Sequence, residues 1–174
     1  MKVRSSKSRG SSFPTNASLE ITPGAPKTAC MSDTPHIVCP HCDTINRIPA
    51  ARLDEAPKCG HCHRALFTAH PLELTDNSFR RHVDRNDIPV VVDFWASWCG
   101  PCRAMAPQYA QAAVELEPKV RVAKLDTDAA QTVAGEYGIR SIPTLMIFKS
   151  GREVARQAGA MGKADIIRWV HAHV

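Results

Sequence analysis

The sequence has no long apolar segment. No run of about 18 apolar residues occurs among its 174 residues, so we expect no membrane-spanning helix. The N-terminus lacks the apolar core and the small-residue cleavage site of a secretory signal peptide. The G-x-G-x-x-G fingerprint of a dinucleotide-binding unit is also missing. We therefore expect a cytoplasmic protein without a membrane partner and without a flavin or nicotinamide of its own.

An excess of one charge is confined to the first part of the chain. The formal net charge is +5, but residues 1–30 hold five Lys/Arg against one Glu, so the remainder is close to neutral. A near-neutral surface lacks the basic footprint of nucleic-acid binding, and we expect no nucleic-acid partner. The same segment is rich in Ser and poor in large apolar side chains. We interpret residues 1–35 as a disordered tail, with Met31 as an alternative start and an organelle transit peptide as the less favoured interpretation.

Cysteine, by contrast, follows a regular pattern. Six of the seven cysteines form three C-x-x-C pairs, and one stands alone at position 30. The first pair is Cys39 and Cys42, and sixteen residues later comes the second, Cys59 and Cys62. This spacing is typical of a four-thiolate zinc site, and four protein ligands leave no open position for chemistry. We predict a structural zinc ion.

Residues 36–68, which contain both pairs, are too few to bury a sizeable core, so metal binding would supply much of their folding energy. We predict a zinc ribbon made of two knuckles and a short linking hairpin. Alternatives are two disulfides, buried thiols or a rubredoxin-like iron site. Nearby histidines are alternative ligands, although we expect them at the surface because four thiolates complete the set: His41, His61 and His63. Acidic residues between the knuckles argue against nucleic-acid binding: Asp43, Asp54 and Glu55.

The third pair, C-G-P-C at Cys99 to Cys102, has a different context. It follows a buried apolar run of strand type and opens an Ala-rich helix. A helix N-terminus stabilises an anion, so the thiolate of Cys99 would be the nucleophile of thiol–disulfide exchange. Cys102, one turn later, could resolve a mixed disulfide. The alternative, half of a metal site, needs a second C-x-x-C partner, and the other two pairs already complete each other.

The pattern from residue 70 onwards predicts the order β-α-β-α-β-α-β-β-α, hence an α/β fold with a mixed central sheet. Thr75 to Ser78 predicts a helix start, and Pro107 predicts a kink inside the second helix. The predicted strands cover residues 71–74, 89–95, 120–125, 144–148 and 153–157, and the predicted helices run through residues 79–83, 102–116, 128–137 and 163–174.

The stretch W-A-S-W-C-G-P-C-R, from Trp95 to Arg103, resembles the active-site signature of the thioredoxins. Further positions agree without a gap: Asp93, Pro107, Lys124, the triplet Ile142-Pro143-Thr144, Gly151 and Gly159. The resemblance covers about residues 70–174, and the four cysteines in front make the whole chain similar to the zinc-ribbon-bearing bacterial thioredoxins of the thioredoxin 2 type. It implies a thioredoxin fold and a protein-disulfide reductase. Ser97 stands where many members carry Pro or Glu, and the N-terminal tail is a further departure.

The resemblance also implies roles for individual residues. Asp93 sits on a buried strand, where desolvation should raise its pKa and suit it to proton transfer with Cys102; a structural polar residue is the alternative. Lys124 would pair with Asp93, or else be an exposed strand lysine. Pro143, expected to follow a cis bond, would face the dithiol and leave the backbone of Ile142 free for an extended client strand. The rest of the docking surface would be Trp98, Gly100 and Pro101, whereas Trp95 would serve packing.

The two residues between the cysteines affect the reduction potential. Potentials of about −270 mV for thioredoxin and about −180 mV for disulfide isomerase differ by about 90 mV, or roughly 4 kcal/mol. Proline between the cysteines favours the reductase; C-G-H-C at Cys59 matches an isomerase motif by letters only.

The resemblance implies an NADPH-dependent thioredoxin reductase and oxidised client proteins as partners. Rival functions are a disulfide isomerase or oxidase, and a zinc-dependent binding module or holdase. The ribbon could also sense oxidation.

Overall fold

The computed structural model describes residues 33–174, so most of the predicted tail lies outside the described residues. No helix in this described part is long and apolar enough to cross a membrane. Two short strands come first, β1 (His36–Val38) and β2 (Ile45–Arg47), followed by a 3-10 helix (Ala50–Arg52). The remaining elements are β3 (Leu72–Leu74), α1 (Asp76–Arg85), β4 (Val90–Trp95), α2 (Gly100–Leu116), β5 (Arg121–Asp126), α3 (Gln131–Glu136), β6 (Thr144–Lys149), β7 (Arg152–Ala158) and α4 (Lys163–His173).

The central sheet has five strands in the order β3-β5-β4-β6-β7. Strands β3, β5 and β4 run parallel, and β6 and β7 are antiparallel to their neighbours. The predicted element order and mixed sheet are thus confirmed. Helix α3 is shorter than predicted because the carboxylate of Asp126 accepts the N–H of Asp128 at 2.9 Å. This local turn competes with helix formation and delays the helix start to Gln131.

Strand β4 is buried on both faces, as expected of a central strand in an α/β sheet. Its alternating side chains separate two apolar layers. Val92 and Phe94 pack with residues of α1 and α3, whereas Val91 packs with residues of α2 and α4. Asp93 follows the alternation of Val91, so it lies on the α2 side, where the helix that begins at the C-G-P-C motif covers the sheet.

The ribbon differs from the predicted arrangement of knuckles and hairpin. Strands β1 and β2 pair across the first knuckle, and Lys58 bridges to Ala65 across the second. The linking segment is a 3-10 turn rather than a hairpin, since each knuckle reverses the chain and pairs its own flanks. A small apolar cluster forms here and includes one residue from the sheet domain: Ile37, Cys39, Leu53, Cys59, Leu66 and Ile88. The ribbon therefore shares its core with the segment that leads into β4.

Side chains of α1 and the following loop fix the ribbon to the N-terminal end of β4. The amide oxygen of Asn86 accepts the N–H of Val38 at 2.8 Å, and the carboxylate of Asp87 accepts the N–H of His36 at 2.7 Å. Arg81 donates to the carbonyl of Asp43 at 2.9 Å. These bonds hold the ribbon at the edge of the sheet where β4 begins, whereas the C-G-P-C motif follows the end of β4.

A buried ion pair fastens residues 66–71, the end of the ribbon and its connection to β3, which we call the linker. Arg121 donates to the carboxylate of Glu117 and to the carbonyl of Leu66, both at 2.7 Å, and both charged side chains are almost fully buried. The second carboxylate oxygen of Glu117 accepts the N–H groups of Thr68 and Ala69 at 3.0 and 2.8 Å. We call these five residues the Arg121 clasp. It ties the linker to the end of α2 and the start of β5.

Candidate redox and metal sites

Cys99 and Cys102 are joined by a disulfide at the start of α2, with their Cα atoms 5.3 Å apart. Cys99 is the N-cap residue, and its sulfur accepts the N–H of Cys102 at 3.1 Å. Backbone N–H groups of the first turn, which have no partner within the helix, and the helix dipole both favour negative charge at this position. The predicted setting of Cys99 at a helix N-terminus is confirmed, and Cys102 is the more buried of the two.

An exposed surface surrounds the disulfide. The Ile142–Pro143 peptide bond is cis, as expected, and the carbonyl oxygen of Ile142 lies 3.7 Å from the sulfur of Cys99. Trp98 is 68% exposed, which is unusual for so large an apolar side chain. Its indole N–H donates to Asp128 at 2.7 Å, a contact that no local sequence pattern reveals. A shallow groove beside the disulfide is lined by Trp98, Thr127, Ile139, Arg140, Ser141 and Ile142. Gly100 and Pro101, which open α2, are exposed.

Asp93 lies behind the disulfide with only 3% of its surface exposed. Together with Cys102 and Tyr109 it lines a cleft of about 360 Å³ between α2 and the sheet, and one carboxylate oxygen of Asp93 has no hydrogen-bond partner. Burial raises the pKa of Asp93 to about 7, against a smaller opposing effect of Lys124. The Tyr109 hydroxyl lies within hydrogen-bond distance of the carbonyls of Val91 and Ala123, at 3.0 and 2.8 Å.

Lys124 stands beside Asp93 but forms its ion pair elsewhere. Its ammonium group lies 2.7 Å from the carboxylate of Glu73 and 5.2 Å from the centre of the Trp95 ring. The expected pairing of Lys124 with Asp93 is therefore a through-space interaction across the cleft rather than a direct salt bridge. Trp95 packs at the wall of this cleft. Glu73 was not singled out from the sequence, because only the strand register brings it next to Lys124.

The four ribbon cysteines form a metal-sized cluster. All four sulfur atoms lie within 4.8 Å of one another, and the pairs Cys39–Cys62 and Cys42–Cys59 are 3.6 and 3.7 Å apart. A tetrahedron with metal–sulfur bonds of about 2.3 Å has edges of about 3.8 Å, so the thiols fit a zinc-sized ion. Among the described residues this is the one cluster of possible ligands of that kind, and the histidines of the knuckles are exposed.

Hydrogen bonds around the sulfurs support this geometry. The N–H groups of His41 and His61 donate to the sulfurs of Cys39 and Cys59, each at 3.4 Å. The buried Asn46 joins both halves of the ribbon: its amide oxygen accepts the N–H of Gly60 at 2.8 Å, and its amide nitrogen lies 3.6 Å from the sulfur of Cys59. Such partners orient metal ligands. Asn46 was missed in the sequence, where it reads as an ordinary polar strand residue.

A mixed sheet with a C-x-x-C disulfide at the start of a helix, a cis-proline beside it and a buried carboxyl behind it defines a dithiol–disulfide oxidoreductase. Comparison with known proteins gives the same class. Residues 70–172 match the family model described as Thioredoxin, and residues 38–64 match that described as Thioredoxin 2, N-terminal, a zinc ribbon. The chain belongs to the thioredoxin family. The combination of both matches is that of the zinc-ribbon-bearing thioredoxins predicted from the sequence.

Individual relatives give the same result. Thioredoxin C-3 of Corynebacterium nephridii is 42% identical over 134 residues, which cover 77% of this chain and 92% of that protein. A thioredoxin of Porphyra purpurea is 53% identical over 94 residues, 54% of this chain and 88% of that protein. Thioredoxin 1 of a Nostoc strain is 47% identical over 102 residues, 59% of this chain and 95% of that protein. The predictions of fold, of protein-disulfide reduction and of exchange through Cys99 and Cys102 are confirmed.

Proposed function

We propose that each turnover begins at Cys99. Its thiolate attacks one sulfur of a client disulfide, the client S–S bond breaks, and the second client sulfur leaves as a thiolate that takes up a proton. The observation that best supports this order is the N-cap position of Cys99, whose sulfur accepts a backbone N–H at 3.1 Å. Trp98, Gly100, Pro101, Ile142 and Pro143 would hold the client, with the backbone of Ile142 pairing with an extended client strand.

In the second step Cys102 resolves the mixed disulfide. Asp93 accepts the proton of the Cys102 thiol, the resulting thiolate attacks the sulfur of Cys99, and the client departs as its second thiolate. The departing thiolate takes up the proton from Asp93. The client has then gained two electrons from the chain and two protons, one from solvent and one that came from the Cys102 thiol, and the chain holds the Cys99–Cys102 disulfide. A pKa of about 7 leaves the Asp93 carboxyl near half ionised at neutral pH, which suits a proton acceptor. Lys124 would act at a distance, because its positive charge favours the ionised form of the Asp93 carboxyl.

We propose that the chain divides into a ribbon (36–68) and a thioredoxin domain (70–174). The ribbon would hold one zinc ion through Cys39, Cys42, Cys59 and Cys62. With four protein ligands the ion supplies folding energy and no open coordination site. Oxidation of zinc thiolates would release the ion, so the ribbon could also report oxidants. Metal analysis of the purified protein should give one zinc per chain. In a peroxide titration with a zinc-sensitive dye, absence of release before loss of activity would exclude sensing.

We place the chain in the cytoplasm, recharged by an NADPH-dependent thioredoxin reductase that carries the flavin and nicotinamide itself. The test is insulin reduction with NADPH and a thioredoxin reductase. Wild type should turn over, Cys99→Ser should be inactive, and Cys102→Ser should accumulate a mixed disulfide with insulin chains. Reduction by Cys99→Ser at the wild-type rate would contradict the assigned nucleophile. An oxidase rate above the reductase rate would favour the isomerase alternative.

A further inference from the structure

Three charged side chains form one row across three neighbouring parallel strands. Glu73 on β3 is in register with Lys124 on β5, and Lys124 is in register with Asp93 on β4. Register partners in adjacent parallel strands direct their side chains to the same face of the sheet, about 4.8 Å apart. Lys124 therefore stands between two carboxyl groups and has a long, flexible side chain with which to approach either of them.

The two carboxyl groups differ in their surroundings. Glu73 is 71% exposed, whereas Asp93 is 3% exposed and keeps one oxygen without a partner. The ammonium of Lys124 lies on the Glu73 side, 2.7 Å from its carboxylate, and its charge is near the face of Trp95. A lysine without this anchor is free to turn toward Asp93, which lines the same cleft and is already influenced by the charge of Lys124.

We propose that Glu73 is a positioning residue, which holds the Lys124 ammonium at the outer end of the row and so leaves Asp93 able to take up and release a proton during turnover. The inference rests on the roles proposed above for Asp93 and Lys124. It adds to them a residue that touches neither sulfur. If Lys124 turned inward and paired with Asp93, the carboxylate would be stabilised and would become a weaker base.

Three titratable side chains other than Lys124 line the cleft beside Asp93. His70 comes from the linker, and Cys102 and Tyr109 come from α2. On the other side of β4 the register partner of Asp93 is the apolar Leu145. Burial is the main cause that raises the pKa of Asp93, and Lys124 is the charge that lowers it. A neighbouring side chain that moves the Lys124 ammonium can therefore change the pKa of Asp93.

An exposed ion pair contributes little to stability, so Glu73→Gln should fold like the wild type. The experiment follows the titration of the Asp93 carboxyl carbon by NMR in the oxidised full-length protein. We expect the midpoint in Glu73→Gln to fall by about one pH unit, the scale of an opposite charge moving into contact, and Glu73→Asp to restore most of it. The matched control is Glu153→Gln, which breaks the exposed pair with Arg156 on β7 at the far edge of the sheet and should leave the midpoint unchanged.

A double-variant cycle separates positioning from simple charge repulsion. In the Lys124→Met background, Glu73→Gln should leave the Asp93 midpoint unchanged, because the group that Glu73 positions is gone. If Glu73→Gln lowers the Asp93 midpoint equally in both backgrounds, Glu73 acts on Asp93 directly and not through Lys124. If it does not lower the midpoint in the wild-type background, Glu73 has no influence on Asp93. Either result overturns the proposal. The NMR readout is independent of turnover. Full insulin reduction by Asp93→Asn would instead refute the catalytic role of Asp93 and leave the positioning result to stand on its own.

Discussion

Removing the buried guanidinium of Arg121 should destabilise the whole described unit. In Arg121→Met the side-chain stem is largely retained, but Glu117 keeps a buried carboxylate without its cation, and the carbonyl of Leu66 loses its donor. Breaking one partner of a buried ion pair costs about 3–5 kcal/mol. For a domain of this size each kcal/mol lowers Tm by about 2–4 °C, so the fall in Tm should be about 6–20 °C.

The assay is urea unfolding of the zinc-loaded, oxidised protein, followed both by tryptophan fluorescence and by a zinc-sensitive dye. Because the clasp joins the linker to α2 and β5, both signals should move to lower urea concentration together. Arg168→Met is the matched control, since Arg168 pairs with Asp165 at the surface and its loss should cost less than about 1 kcal/mol. Adding Glu117→Gln to Arg121→Met should recover part of the loss. A cost below about 1 kcal/mol for Arg121→Met alone would refute this account of the clasp.

Three further outcomes are expected. The folded protein holds the Asp93 proton up to about pH 7 and the unfolded chain only to about 3.9, so stability falls as pH rises through that window. Asp93→Leu should therefore stabilise the protein by up to about 4 kcal/mol at pH 8 and far less at pH 4, as measured by urea unfolding; equal gains at both would contradict this. Asn46→Ala should weaken zinc affinity by about 10–100-fold in a chelator competition, and unchanged affinity would show that the amide does not orient the knuckles. Trp98→Ala should raise KM for insulin more than it lowers kcat, and the opposite split would remove Trp98 from client docking.

Local patterns predicted most of the fold and the chemistry, and tertiary placement explains the rest. The buried run before Cys99 and the Ala-rich helix after it are both visible in the sequence, so the redox site was predictable. The start of α3 was not, because the Asp126 side chain diverts the backbone locally. Arg121 reads as an exposed residue of an alternating strand, yet it is fully buried. Only the fold brings it to Glu117 and to the linker behind the ribbon.

The position of the ribbon at the beginning of β4 has a consequence for how the molecule can be handled. The dithiol follows the other end of this six-residue strand, so about 20 Å of sheet separates the two. A client can cover the end that carries the Cys99–Cys102 disulfide while the opposite end stays open to solvent. Immobilising the protein on a sensor through an exposed ribbon residue such as Glu55 would thus present every molecule with its reactive end outward.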